Sequence, residues 1–192
     1  MIDSLERGRR AIADLRSDRR RIVAVDGVDG AGKSTFADAV ASHLKRPVVR
    51  ASIDDFHNPR SVRYRQGRES PEGYYADSFN LEALTRLLLA PFAAGEPFRL
   101  RAFDQLADAP LDSEPEQAPD TAVLILDGLF LHRRELLAWW DLSIWLDVPA
   151  EVAARRIAVR DGQPTRDRHR RGCERYIADA RPAERATLVL PW

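Results

Sequence analysis

Short, continuous apolar runs alternate along this chain with longer stretches whose apolar residues recur at helical spacing. Ser4 to Arg20 carries Leu5, Ile12 and Leu15 as a sparse stripe in a charged background, which predicts an amphipathic helix. Arg21 to Asp26 reads R-I-V-A-V-D, a β-branched run that predicts a buried strand. A glycine-rich loop follows, and Lys33 to Lys45 then predicts a helix through Phe36, Val40 and Leu44. Pro47 to Ser52 predicts a second strand, and Leu81 to Ala90 a leucine-rich helix. Ala122 to Asp127 (A-V-L-I-L-D) is the most apolar strand and Leu142 to Val148 another. A helix starts at Pro149 and runs to about Arg160, and Thr187 to Leu190 is a last strand. Ala107 to Asp120 is rich in Pro, Asp and Glu and reads as a surface loop, because both flanks read as parts of one sheet. Strands that are apolar throughout, interleaved with helices, predict an α/β fold: a doubly wound, mostly parallel sheet covered on both faces. The 192 residues suit one domain spanning 1–192, with enough length for a sizeable core.

The loop between the first strand and the helix after it carries the chemistry. Gly27-Val28-Asp29-Gly30-Ala31-Gly32-Lys33-Ser34 matches G-x-x-x-x-G-K-[ST], the Walker A pattern. Glycines let the backbone turn tightly and aim successive N–H groups at phosphate oxygens. The helix beginning near Gly32 adds its positive end. Lys33 is a compact charge that reaches the β- and γ-phosphates, and the Ser34 hydroxyl can ligate Mg²⁺. A strand before and a helix after are the setting a P-loop requires. The cofactor-binding set is therefore Gly27, Asp29, Gly30, Ala31, Gly32, Lys33, Ser34 and Thr35, for ATP with Mg²⁺. Only two of the 30 basic residues are lysines, Lys33 and Lys45, so a lysine inside the motif is retained against the chain's preference for arginine. An N-K-x-D guanine-reading motif is absent, since the only asparagines are Asn58 and Asn80.

Other charged residues fall where a phosphoryl-transfer site needs them. Asp127 ends the most apolar strand, where an acid can hold Mg²⁺ with Ser34. Asp54 and Asp55 follow the second strand, and either could cap the next turn. Asp54 is the favoured base for an attacking hydroxyl, beside Lys33 and Arg160 in catalysis. Arg160 to Arg171 contains arginines 160, 166, 168, 170 and 171, and Gly162 and Pro164 break the preceding helix. This predicts a mobile lid over residues 161–172 that closes on phosphates, with Arg166 on the nucleotide. Asp55, His57, Tyr75 and Phe79 are candidate substrate contacts, and Tyr74 could stack on a ring or polyol beside them.

The formal net charge is zero, so no bulk field draws the chain to nucleic acid or to a membrane. Cys173 is the only cysteine, which excludes an internal disulfide, and no stretch of apolar residues is long enough to span a bilayer. Together with the lack of a signal-type N-terminus, these features lead to an expected cytoplasmic location. The partner is a small-molecule hydroxyl acceptor; homo-oligomerisation stays open.

The residues also resemble a known family, the uridine kinase-like branch of P-loop kinases. The resemblance rests on Asp26–Thr35 (D-G-V-D-G-A-G-K-S-T), Ser52–His57 (S-I-D-D-F-H), Asp77–Asn80 (D-S-F-N), Val123–Leu131 (V-L-I-L-D-G-L-F-L) and Arg155–Asp161 (R-R-I-A-V-R-D), in the family's order. It implies a P-loop NTPase fold and ATP-dependent phosphorylation of a hydroxyl, often of a pyrimidine nucleoside. By position Asp54 matches the family's catalytic acid, Asp127 an acid that is usually Glu, and Arg160 the arginine before the lid. The acceptor half departs: Gly73-Tyr74-Tyr75-Ala76 stands where uridine kinases carry F-D-H-P, Asn80 replaces an Asp, and an E-R-G-R run is missing from the lid. Two alternatives therefore stay open. One is a nucleotide-binding regulator without transfer to a metabolite. The other is a nucleoside monophosphate kinase, with Arg60, Arg63, Arg65 and Arg68 as candidates for the acceptor phosphate.

Overall fold

The computed structural model describes residues 2–192. Five strands form one parallel sheet: β1 (Arg21–Gly27), β2 (Val48–Ser52), β5 (Val123–Gly128), β6 (Leu142–Asp147) and β7 (Leu188–Pro191), in the order β2-β5-β1-β6-β7. A two-stranded antiparallel ribbon, β3 (Phe103–Asp104) with β4 (Ala109–Pro110), stands apart; β4 falls inside the predicted loop and β3 just before it. The chain leaves β1, passes outward to β2, returns to β5 beside β1, and then crosses to β6 and β7 on the other side. The order therefore reverses around β1, and the crevice that opens there lies at the carboxyl ends of the strands.

Because side chains alternate across a strand, a sheet buried on both faces needs apolar residues at every position. Ile22, Ala24, Leu124, Leu126 and Trp145 face one core with Phe56, Leu84, Leu88, Phe92 and Tyr176. Val23, Val25, Val123, Ile125, Ile144 and Leu146 face the other with Ile12, Phe36, Val40 and Ala153. The second layer is formed by helices α1 (Ile2–Ala13), α2 (Lys33–Ala41) and α7 (Ala150–Asp161). The first holds α5 (Leu81–Leu84), α6 (Ala90–Ala94) and α8 (Asp167–Ala180). Short helices α3 (Arg60–Arg63), α4 (Pro71–Asp77) and α9 (Pro182–Arg185) complete the described residues.

Several boundaries differ from the sequence reading. The first helix stops at Ala13, well before Arg20, because the chain must turn to enter β1; Arg20 is itself buried, its guanidinium on the Glu96 carbonyl at 3.1 Å and on Ala118. Helix α2 ends at Ala41, where Ser42 donates its hydroxyl back to the Ala39 carbonyl at 2.9 Å. The leucine-rich helix does not stop at Ala90. It continues to Ala94 through a wide turn at Thr85–Leu89. Pro91 has no N–H for the Leu87 carbonyl, and the Arg99 N–H takes that acceptor instead at 2.8 Å. The expected lid loop is half helix: only residues 162–166 are irregular, and α8 begins at Asp167.

Candidate active site

The loop after β1 spends two amides internally, Gly27 on the Asp26 carboxylate at 2.7 Å and Ala31 on the Val28 carbonyl at 3.0 Å, and its glycines set the path of the rest. Gly30 and Gly32 sit at φ +76° and +84°, the left-handed region that glycine occupies without strain. Gly30 is also pressed against α7, where a Cβ would come within 2.5 Å of the Ala153 carbonyl oxygen. Gly32 precedes α2 without a capping side chain, so the first-turn N–H groups of that helix point outward as anion donors. Arg156 on α7 braces the loop, donating from Nη1 to the Ala31 carbonyl at 3.0 Å. Lys33 Nζ lies 2.9 Å from the Val28 carbonyl, folded across the turn.

Beneath the loop a carboxylate on β5 ties β2 to the start of α2. Parallel register sets Asp127 beside Val25 on β1 and Ser52 on β2. Ser34 donates its hydroxyl to Asp127 Oδ2 at 2.6 Å, and Arg50 Nη2 donates to Asp127 Oδ1 at 2.7 Å. Arg50 also binds the Ile125 carbonyl at 2.6 Å and Asp38 at 2.9 Å, so it is locked along the sheet edge. The oxygens of Ser34 and Asp127, side by side at the foot of an anion cradle, suit a hard divalent cation that completes its shell with phosphate and water. Among the described residues no cluster of three His, Cys, Asp or Glu side chains makes a metal site from protein alone.

The cleft above these groups encloses about 400 Å³ and is lined by Asp29, Lys33, Ser34, Asp54, Asp127, Arg156 and Arg160, among others. Asp54 sits in the single 3-10 turn after β2. Ser52, not either aspartate, caps that turn by accepting from the Asp54 N–H at 3.3 Å. Its carboxylate is left free of local duty. The protein crowding the cleft wall raises the Asp54 pKa although its side chain stays open to solvent; the nearby acids Asp127, Asp29 and Asp55 push the same way, and Lys33 opposes them. Arg160 pairs with Asp161 at 2.6 Å and reaches Asp29 at 3.8 Å.

A second cavity of about 300 Å³ adjoins the first. Asp29, Asp54, Leu129 and Arg160 line both, so they form the wall where the two meet. Beyond that wall lie His57, Tyr64, Tyr74, Phe79, Arg63, Arg166 and Arg168. His57 stacks on Phe79 at 4.7 Å and its Nδ1 sits 3.1 Å from the Ser78 carbonyl. That contact requires Nδ1 to carry the proton and leaves Nε2 as an acceptor. Burial, helped by Arg63, lowers the His57 pKa to about 4, so the ring is neutral at physiological pH.

The structure does not gather every candidate. Asp29, Gly30, Gly32, Lys33, Ser34 and Thr35 line the nucleotide cleft, Ala31 is buried under it, and the Gly27 N–H is turned to Asp26 at 2.7 Å. Arg166 lines the second cavity and not the nucleotide cleft to which it was assigned. Asp55 points away, paired with Arg101 at 2.8 Å. Tyr75 also leaves the site: its hydroxyl donates to Asp179 at 2.8 Å, and its neighbour Tyr74 lines the cavity instead. Arg170 and Arg171 pair with Asp167 within α8, and Arg170 also with Glu174; they form a solvated face. Arg60, Arg65 and Arg68 do not line the cavity; Arg65 is spent on Asp77. Tyr74 and Arg168 line the second cavity, whereas the role of Arg156 was not legible from the sequence, and neither was the buried set Asp26, His132 and Tyr176 under the loop. Cys173 is buried, which pushes its thiol up to about 11 and suits a packing residue.

Residues 22–188 match the model of the phosphoribulokinase/uridine kinase family. The chain belongs to that family. Among solved structures of similar fold, a possible uridine kinase from Bacillus stearothermophilus superposes with a TM-score of 0.78 at 23% identity, covering 98% of this chain and 97% of the other. A candidate fructose transport system kinase from Silicibacter sp. TM1040 gives a TM-score of 0.72 at 26% identity over 97% and 98%. A D-glycerate 3-kinase from Cryptococcus neoformans gives 0.53 at 14% identity over 96% and 84%. No curated protein matches the chain. As a member of this family the chain is a P-loop kinase. No helix among the described residues is long and apolar enough to cross a membrane.

Proposed function

We propose that this chain uses ATP with Mg²⁺ to phosphorylate a hydroxyl group of a small metabolite. The observation that carries the reading is the shared wall: Asp54 and Arg160 line both the cleft over the phosphate-binding loop and the cavity beside it. A group in that position touches donor and acceptor at once, which a nucleotide-binding regulator does not need. The fold relatives support an alcohol acceptor in general, since their names point to a nucleoside, a sugar and a hydroxy acid.

The chemistry follows from placement. The free amides of the loop and the Lys33 ammonium hold the β- and γ-phosphates. Ser34 and Asp127 would hold Mg²⁺, which supplies neutralisation of phosphate charge when bound. Asp54 orients the acceptor hydroxyl and takes its proton as oxygen attacks. The new acceptor O–P bond forms, the bond from the γ-phosphorus to the bridging β-oxygen breaks, and ADP leaves. Arg160 lies where charge develops between the two cavities. Most of the acceleration comes from alignment and fixed charge, with proton removal contributing about 10²–10⁴-fold.

A panel of nucleosides, sugars and hydroxy acids, screened for acceptor-dependent ADP formation, tests this. Lys33→Ala should abolish transfer. If no alcohol raises ADP formation above the background hydrolysis of a protein that binds ATP, the regulator reading replaces this one.

A further inference from the structure

The second cavity is lined by four arginines, Arg63, Arg160, Arg166 and Arg168, and by only two carboxylates, Asp29 and Asp54. Arg168 is 5% exposed, yet no carboxylate lies within ion-pair distance of it among the described residues. Its only protein hydrogen bond runs from Nη1 to the Arg68 carbonyl at 2.8 Å, and its buried Nε has no partner. Two aromatic faces hold the guanidinium, Tyr64 at 5.1 Å and Tyr74 at 5.3 Å. Arg63, 8% exposed, stands over the same Tyr64 ring at 5.6 Å, also with an unpartnered buried Nε. Its one acidic partner is Asp108 at 3.2 Å. Arg166 adds a third guanidinium with no carboxylate partner.

Burying a cation without a counter-charge is costly, and arginines kept so are paired by something the site receives. Planar guanidinium forks match the geometry of phosphate and carboxylate oxygens. The cleft over the loop has its own arginines, Arg156 and Arg160. Arg63, Arg166 and Arg168 line only the neighbouring cavity, on the far side of the Asp54 wall from Lys33. His57, neutral with a free Nε2, is suited to accept a hydrogen bond from a hydroxyl in the same cavity.

Resting on the kinase reading above, we infer that the acceptor is itself an anion: a small hydroxyl compound carrying a phosphate or carboxylate that Arg168, Arg63 and Arg166 grip, while its hydroxyl faces Asp54. A neutral nucleoside would leave that charge unanswered.

The experiment has two parts. First, the folded protein is saturated with a non-hydrolysable ATP analogue and Mg²⁺, so that the loop is blocked, and titrated calorimetrically with inorganic phosphate and with glycerate. Anion uptake should persist in the parent, weaken at least 10-fold in Arg166→Gln and Arg168→Gln, and return partly in Arg168→Lys. Arg166 is exposed, so its variant tests the idea even if a change at buried Arg168 prevents folding. No uptake, or uptake equal in all variants, overturns the inference whatever the catalytic result. Second, matched acceptors differing only in the anion are compared: uridine with its monophosphate, ribose with ribose 5-phosphate, glycerol with glycerate and glycerol 3-phosphate. The anionic member should win by 10-fold or more in kcat/KM, and Arg168→Gln should raise KM for that member while the KM for ATP stays put. The ranking of phosphate against carboxylate compounds tells the two sources apart. A neutral acceptor that outperforms its anionic partner sinks the inference yet upholds the kinase. Failure of the analogue to bind at all strikes the kinase reading itself.

Discussion

Asp26, the last residue before the phosphate-binding loop, is fully buried and surrounded by donors. Its Oδ1 accepts from the Gly27 N–H at 2.7 Å. Its Oδ2 accepts from His132 Nδ1 at 2.8 Å, from the His132 N–H at 3.1 Å and from the Tyr176 hydroxyl. Asp26→Asn keeps shape and volume but turns one oxygen into a donor. The cheapest orientation leaves the amide oxygen facing the three Oδ2 donors and sets the NH₂ against the Gly27 N–H. Bonds to a charged acceptor contribute about 1.5–3 kcal/mol against about 0.5–1.5 for a neutral one, so three bonds lose about 1 kcal/mol each. The clash of two donors adds about 1–3 kcal/mol, and relief from burying a charge offsets part of the total. A net loss of about 3 kcal/mol lowers Tm by roughly 6–12 °C in a chain of this size. Tyr176→Phe, which leaves the other donors in place, should cost about 1 kcal/mol, or roughly 2–4 °C. Thermal unfolding followed by circular dichroism reads both, and the same samples give KM for ATP, which should rise in Asp26→Asn as the loop loses its anchor. An Asp26→Asn protein that melts at or above the parent temperature would refute this account of the network.

Asp54→Asn should bind ATP normally while kcat falls about 10²–10⁴-fold, as fits a lost base; unchanged turnover removes the assignment. Since the folded-state pKa of Asp54 is raised, its ionised form is disfavoured in the native protein and costs stability above the unfolded-state pKa. Asp54→Asn should therefore melt higher than the parent at neutral pH, with the advantage vanishing in acid. The same shift puts the acid limb of kcat/KM above the ordinary carboxylate range near about 3.9, and a pH–rate profile limited only at lower pH would contradict it. Gly30→Ala meets both a positive φ and the Ala153 carbonyl at 2.5 Å, so about 1–2 kcal/mol of backbone strain joins a clash that displaces loop or α7. KM for ATP should rise about 10-fold or more, and a variant with parental KM would show that the loop tolerates a side chain.

The parts legible in advance were those governed by a single segment. The strand–loop–helix around Lys33 is local, and its glycines announce the backbone conformation they serve. Asp127 was readable because an acid closing an apolar parallel strand must emerge at the carboxyl edge of the sheet. Its partner Arg50 was not, because two strands that pair side by side are distant in sequence, and only register puts Arg50 opposite Ile125 and within reach of Asp127. Helix ends failed for a related reason: periodicity records which residues pack, not where the chain must bend to reach the next strand. Leu15 and Leu44 both pack against the core, as their spacing implied, but from beyond the observed ends of their helices at Ala13 and Ala41.

The acceptor half was legible in His57 and Phe79 but not in full, because its other residues are placed by how two helices meet. Tyr74 and Tyr75 are neighbours on α4, about 100° apart around the axis, and both are aromatic, so the sequence does not say which faces the cavity. The choice is made on α8 by Gly172. A Cβ there would come within 2.5 Å of the Tyr74 ring, so its absence lets α8 settle onto α4 and turns Tyr74 inward. One turn earlier on the same face is Arg168, which therefore lands against Tyr74 inside the acceptor cavity. One turn later is Tyr176, which therefore reaches Asp26 beneath the phosphate-binding loop. A single stripe at four-residue spacing, Arg168, Gly172 and Tyr176, thus joins the acceptor pocket to the base of the nucleotide site. The segment expected to be a mobile arginine lid is, from Asp167 onward, a helix whose buried side packs on α4, while Arg170 and Arg171 face solvent and pair within α8.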